Sequence, residues 1–441
     1  MVSRIRVHDR KLSRVAVRGV LFSAVVLAGG VAADAETIAI TGATVHPVSG
    51  PVIENATVVI ADGRIAAVGA DVAVPAGARV VDARGKVVTP GLLDSSAGVA
   101  AVEIGAYDDT TESRVEDDRL TAAFDVVDGL NPWATNVAVN RVEGIARAVV
   151  MPRPGKSLIA GQAALVSLRP LAVPDPRAMV ERAPVAMVAT LGSGGAELAG
   201  GARAAALLRL REALEDARDF AANRRAWESA GRRDYALSRL DLEALAPVVA
   251  GELPLAVTVD RASDLLAAVR FAEEQHLELI VVGGAEAWMV ARELAAARIP
   301  VILNPMSNLP DFESLGATLE NAARLEAAGV TVAFASFDAH NARDLRHAAG
   351  SAVAYGMPWD AALAAVTAVP ARIWGIADRY GTLEPGKAAD LVVWSGDPFE
   401  LSTTAEHVFL DGREVGADSR QRQLLERYRR LDGELPPAYR P

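Results

Sequence analysis

Pro90-Gly91-Leu92-Leu93-Asp94-Ser95-Ser96-Ala97-Gly98 is the stretch whose reading decides the fold. A short apolar run, Val87-Val88, leads into a Pro-Gly break and then into Leu-Leu-Asp. Similar apolar, β-branched runs recur at residues 145–151, 185–191, 255–260, 277–283, 299–304 and 330–338. Their continuous apolar character suits parallel strands buried on both faces. Helical stretches at 262–275, 286–297 and 315–328 separate the later ones. This alternation predicts an α/β fold, a (β/α)8 TIM-like barrel over residues 87–380. Seven strands are clear. The eighth is expected to be hidden or lost near the long Ala/Arg/Glu/Leu-rich helical segment 196–240.

Outside the barrel the pattern changes. Short β-type segments occupy 37–40, 43–45, 56–60, 65–68 and 79–82, and again 391–394 and 407–410. Turn signals such as Ala61-Asp62-Gly63-Arg64 and Asp411-Gly412-Arg413 punctuate them. They predict one small β-sandwich domain built from both ends of the chain, residues 36–86 and 381–418. The tail, 419–441, has a basic helical part and a Pro-rich end, suited to packing on the sandwich or to a subunit contact. Residues 103–128 hold nine acidic side chains against Arg114 and Arg119. They read as a solvated loop, although their place after the first strand also admits a lid over the barrel mouth.

Composition narrows the setting. Of 441 residues, 51% are hydrophobic, ample for a large core. Cysteine is absent, which excludes disulfides, thiol nucleophiles and thiolate metal sites. Arg4, Arg6, Arg10, Lys11, Arg14 and Arg18 precede an apolar run ending at Ala33-Asp34-Ala35, so residues 1–35 read as a signal peptide of a secreted, periplasmic protein. Cleavage there leaves no stable membrane span. It removes six basic and two acidic residues, taking the net charge from −11 to −15. Such a chain is not expected to bind nucleic acid.

The opening stretch resembles the first barrel strand of the amidohydrolase superfamily. Gly381-Thr382-Leu383-Glu384-Pro385-Gly386-Lys387-Ala388-Ala389-Asp390-Leu391-Val392-Val393 resembles the segment by which those proteins leave the barrel, and residues 361–371, with Thr367 and Pro370, resemble the helix-turn before it. With Gly161-Gln162, the likeness is to the imidazolonepropionase-like, periplasmic branch. The resemblance implies hydrolysis of non-peptide carbon–nitrogen bonds with Zn or another divalent metal. It implies a His-x-His on strand one, a histidine on each of strands five and six, and a catalytic aspartate on strand eight. Those positions fall on Ser96, Gly98, Thr258, Gly283 and Asp338. Only Asp338 matches. Glycine offers no ligand atom, and a neutral hydroxyl is a poor ligand for a zinc-type ion.

No other residue type fills the gap. Of the six histidines, His8 lies in the leader, His46 and His407 in the β-domain, and His276 at a helix end. His340 and His347 follow Asp338 and would share a face if the stretch were helical; an exposed polar pair is expected. A bridging carboxylated lysine is excluded, because Lys156 is the one lysine between strand one and the exit turn. Pro154-Gly155-Lys156-Ser157 lacks the spacing of a nucleotide loop, and Ser95-Ser96 lacks a nucleophile elbow. Asp94, Asp260 and Asp338 stand at three strand ends, and of these only Asp338 matches a family ligand. Hard cations accept such oxygens, but Asp94 and Asp260 are expected to make structural hydrogen bonds. The expectation is therefore no cofactor, and a hydrolase-like barrel without its family metal site. It would serve as a ligand-binding protein for a small molecule, or as partner of an active amidohydrolase relative, or as a homo-oligomer. The alternative is an active amidohydrolase acting on small amides, cyclic imides or dipeptides through Asp338, with an atypical metal or none.

Overall fold

The structure, a computed structural model, describes residues 36–429 apart from 174 and 230. The expected signal peptide, 1–35, and the end of the tail, 430–441, lie outside the described residues. Five strands open the chain: β1 (Ile38–Val45), β2 (Ile53–Ala61), β3 (Arg64–Gly69), β4 (Arg79–Asp82) and β5 (Val87–Pro90). Eight more form the barrel: β6 (Leu92–Asp94), β7 (Ile145–Val150), β8 (Ile159–Ser167), β9 (Val180–Thr190), β10 (Leu255–Val259), β11 (Leu279–Gly283), β12 (Val301–Leu303) and β13 (Val332–Phe334). The last three are β14 (Leu391–Trp394), β15 (Ala405–Leu410) and β16 (Arg413–Glu414).

The two chain ends share one sheet, ordered β16-β15-β14-β5-β1-β2-β3, with β4 also beside β1. β5 joins the halves: Val87 and Val88 pair parallel with Thr44 and Val45, while Pro90 to Val87 pair antiparallel with Leu391 to Trp394. Trp394 is fully buried there and its indole donates to Thr89 Oγ1 at 2.9 Å. Ile38, Ile60, Val393 and Phe409 pack in one core, so the sheet closes on side chains from both termini. The apolar run read as one strand across 87–94 thus divides at Gly91, with Val87–Pro90 in this sheet and Leu92–Asp94 in the barrel.

The barrel sheet runs β6 to β13 in chain order. Bonds from Ser95 N to Phe334 O at 3.1 Å and from Phe337 N to Ser96 O at 3.0 Å draw its last strand onto its first. Leu93, Val149, Leu165, Ala256, Ile280, Ile302 and Ala333 point inward and fill the interior. The outward residues pack under helices such as Ala262–Gln275 and Leu345–Ala354.

The eighth strand is β8, and it lies at 159–167 rather than near 196–240, which holds the helices Arg203–Glu228 and Arg239–Val249. β8 pairs antiparallel with both β7 and β9, while the remaining neighbours pair parallel. No helix separates β7 from β8, so nothing forces the chain back for a parallel return. The turn Val126–Gly129 covers the outer face of β8 where a helix would otherwise sit, burying Val126 and Val127. Gly161 makes this approach possible: its φ is +125° and a Cβ there would lie 2.4 Å from Phe124 O.

At the opposite end of the barrel Trp374 and Tyr380 close the floor. Arg147 points down into it with a side chain only 2% exposed. It pairs with Asp390, lies 3.5 Å from both Glu181 and Asp411, and stacks 3.4 Å from the centre of the Tyr380 ring. The aspartate of the exit motif therefore ties the barrel floor to the β-domain.

Candidate functional site

A cavity of about 780 Å³ opens at the C-terminal ends of the barrel strands. Ser96, Gly98, Thr258, Gly283 and Asp338 all line it. Strand register explains this convergence. Each position lies in its strand's last residues or just beyond, so the five face one another across the mouth.

The three strand-end aspartates have different surroundings. Asp94 is fully buried and accepts from Ser96 N at 3.0 Å and from Ser336 N at 3.2 Å, pinning the first strand to the last. Burial pushes its carboxyl up to about 7, against the lowering pull of those donors. Asp260 is largely buried in the cavity wall and accepts from Ala285 N at 3.1 Å. Burial raises its pKa too. Asp338 is exposed; its Oδ1 accepts from His340 N at 2.8 Å and Asn341 N at 2.9 Å, which fixes the turn after the last strand. Its other oxygen has only Asn341 Nδ2, at 3.5 Å.

This donor set does not fit a zinc-type ion. The reason at position 283 is steric as well as chemical. Gly283 has φ +96°, and a Cβ added there would lie 2.6 Å from Asp260 Oδ1. Asp260 thus holds its carboxylate where a strand-six side chain would begin, and would have to turn away from Ala285 N to admit one. At Gly98 a Cβ would press on Ala339 and Val102, at 3.1 and 3.2 Å. Ser96 and Thr258 supply neutral hydroxyls. Among the described residues no three His, Cys, Asp or Glu side chains are grouped so that they could hold a metal ion.

The two histidines near the mouth part company. His340 lines the cavity from the turn before the helix, within 2.9 Å of Gln421 Nε2. His347 lies on helix Leu345–Ala354, outside the lining; burial lowers its pKa and its Nε2 has no partner. Sequence reasoning misses other wall residues. Glu103 and Ser113 reach the cavity from the acidic segment, and Arg153 from the connection after β7. Ser113 is 1% exposed and its Oγ has no hydrogen-bond partner. Part of the acidic segment is therefore fitted wall, held by Glu112 N to Ala101 O and Arg153 N to Ser113 O, both 2.7 Å. Its place after the first strand is the available signal; its register is not legible.

Comparison with known proteins agrees with this architecture. A sequence profile of the Amidohydrolase family matches residues 259–415. The crystal structure of an amidohydrolase from Thermotoga maritima MSB8 superposes with a TM-score of 0.77 at 26% identity, over 86% of this chain and 99% of that one. The chain resembles the amidohydrolase superfamily in sequence and in fold. A curated superfamily relative, the amidohydrolase tasK of Hapsidospora irregularis, is 26% identical over 372 residues. That match takes in 77% of this chain but 37% of the relative, so this chain spans well under half of that protein's length. Molinate hydrolase shares the fold at TM-score 0.53 and 19% identity, over 87% of this chain and 95% of its own. Phenylurea hydrolase B does so at 0.53 and 17%, over 87% and 97%.

Proposed function

We propose that this amidohydrolase-superfamily barrel does not run the metal-dependent hydrolysis of its family and keeps its cavity for binding a small molecule. The observation that carries the reading is the side chain of Asp260 standing in the room of a strand-six ligand beside Gly283. An ion held by Asp338 alone would lack the converging ligands that fix coordination and lower the pKa of a bound water. The cavity itself remains large, half-polar and lined by groups with spare hydrogen-bonding capacity, among them Ser113 Oγ. The leader's basic and apolar blocks support a periplasmic location.

Two further readings have specific support. A barrel that keeps the fold with Ser96, Gly98, Thr258 and Gly283 at the ligand positions also suits a partner subunit of an active amidohydrolase relative. Retention of Asp338 at the strand-eight position favours an active amidohydrolase on small amides, cyclic imides or dipeptides. Elemental analysis of the purified protein, paired with an activity screen on those amides, separates the cases. The expected result is no stoichiometric transition metal and no hydrolysis above that of Asp338→Asn. One bound metal per chain, or activity abolished by Asp338→Asn, overturns the proposal.

A further inference from the structure

The C-terminal helix, Arg420–Arg429, buries none of its residues. It touches the body through Gln421, at His340, and lies beside helix Thr135–Arg141. It carries four arginines against Glu426, in a chain whose net charge is −11. Leu425 and Tyr428, 59% and 57% exposed, share its outer face at i, i+3 spacing. Across the same mouth, residues 103–118 present seven acidic side chains against Arg114, with Ile104 and Tyr107 exposed among them. Each element thus has a pair of large apolar side chains set in charge of one sign, and the signs are opposite.

Within one chain the two do not meet. Among the described residues Arg420, Arg422 and Arg427 make no ion pair, and Arg429 pairs only with its neighbour Glu426. Within 103–118 the ion pairs are with the adjacent Arg114 and Arg119. We infer that a second copy of this chain brings them together, in a two-fold dimer that lays each basic helix on the partner's acidic segment. Both elements border the cavity, Glu103 and Gly105 directly and the helix through His340, so this pairing turns the two mouths toward one another. A self-complementary patch is what a two-fold interface requires: helix on segment in one half is segment on helix in the other.

The test is sedimentation velocity on the full chain and on two charge-reversed variants. One carries Arg422→Glu with Arg429→Glu, the other Asp108→Arg with Asp109→Arg. All four side chains lie at the surface, and unchanged circular dichroism checks that the variants fold. The wild type is expected to sediment as a dimer that weakens as salt rises. Each variant alone is expected to be a monomer. An equimolar mixture is expected to recover the dimer, because reversed helix then meets reversed segment in one half while the native pair meets in the other. A wild-type monomer at low salt, a dimer indifferent to both reversals, or a mixture that stays monomeric overturns the inference.

Discussion

An imidazole put back at position 283 would meet Asp260 before it met a metal. Even one methyl group tests the pair. Gly283→Ala is expected to cost about 1–3 kcal/mol in urea unfolding, from the contact with Asp260 and the positive φ. Asp260→Ala should recover part of this, so the double variant is less destabilised than the sum of the singles; strict additivity would show that the two do not share the space. Asp94 gives a pH prediction. Its carboxyl is held near 7 in the fold and titrates near its ordinary 3.8 when unfolded. Between those values the folded state holds a proton that the unfolded state has lost. Stability from this group is therefore full below about pH 3.8 and is lost as pH rises through about 7, by on the order of 4 kcal/mol. Asp94→Asn should flatten that part of the stability curve; a slope equal to wild type would refute it. Sequence alone places Asp94 and Asp260 at strand ends as hydrogen-bonding groups, because strand ends are legible from where apolar runs stop. That Asp260 fills the room of position 283 is not legible, since it depends on the rotation of one strand's end against its neighbour.

Among the elements, the seven strands legible in the sequence carry mostly apolar, β-branched runs, and the later ones are also followed by helical pattern. β8 escapes because Gly161 and Gln162 interrupt its run and the chain goes on to β9 with only the single turn Pro176–Met179 between. Gly161-Gln162 stands out as a motif, and the structure supplies its physical sense: Gly161 lets Phe124 O come close, and Gln162 N bonds to that same carbonyl at 2.8 Å. The acidic segment is legible only in part. Nine carboxylates suggest a solvated loop, and they conceal Ala122, Val126 and Val127, which are buried against the barrel wall.

For the molecule as a whole, the joint between barrel and β-domain is ionic at its centre. Arg147 meets Asp390 and Asp411 from the β-domain side and Glu181 from the barrel side. Removing Arg147 takes the cation from buried Asp390, while Asp411 keeps Arg169 and Glu181 keeps Arg379. Arg147→Met is expected to lose about 3–5 kcal/mol in chemical denaturation, and adding Asp390→Asn to restore part of it. A neutral Arg147→Met would mean that water already compensates those carboxylates. The motif 381–393 announces that the chain rejoins its first strands, but its aspartate's partner lies far away on β7, which no local pattern could reveal.

The reversed run of β8 has an effect on what this barrel can recognise. A strand that descends delivers its C-terminal end to the floor, so the connections before and after it change sides. The mouth is edged by seven connections instead of eight, and the one between β7 and β8 serves two strands at once. Another, the long one after β6, is tied down twice, lining the cavity through Glu103 and Ser113 and covering the outer face of β8 through Val126 and Val127. Variation in the remaining connections, chiefly those after β10 to β13, is then the main freedom by which relatives of this chain can alter the shape of what they hold.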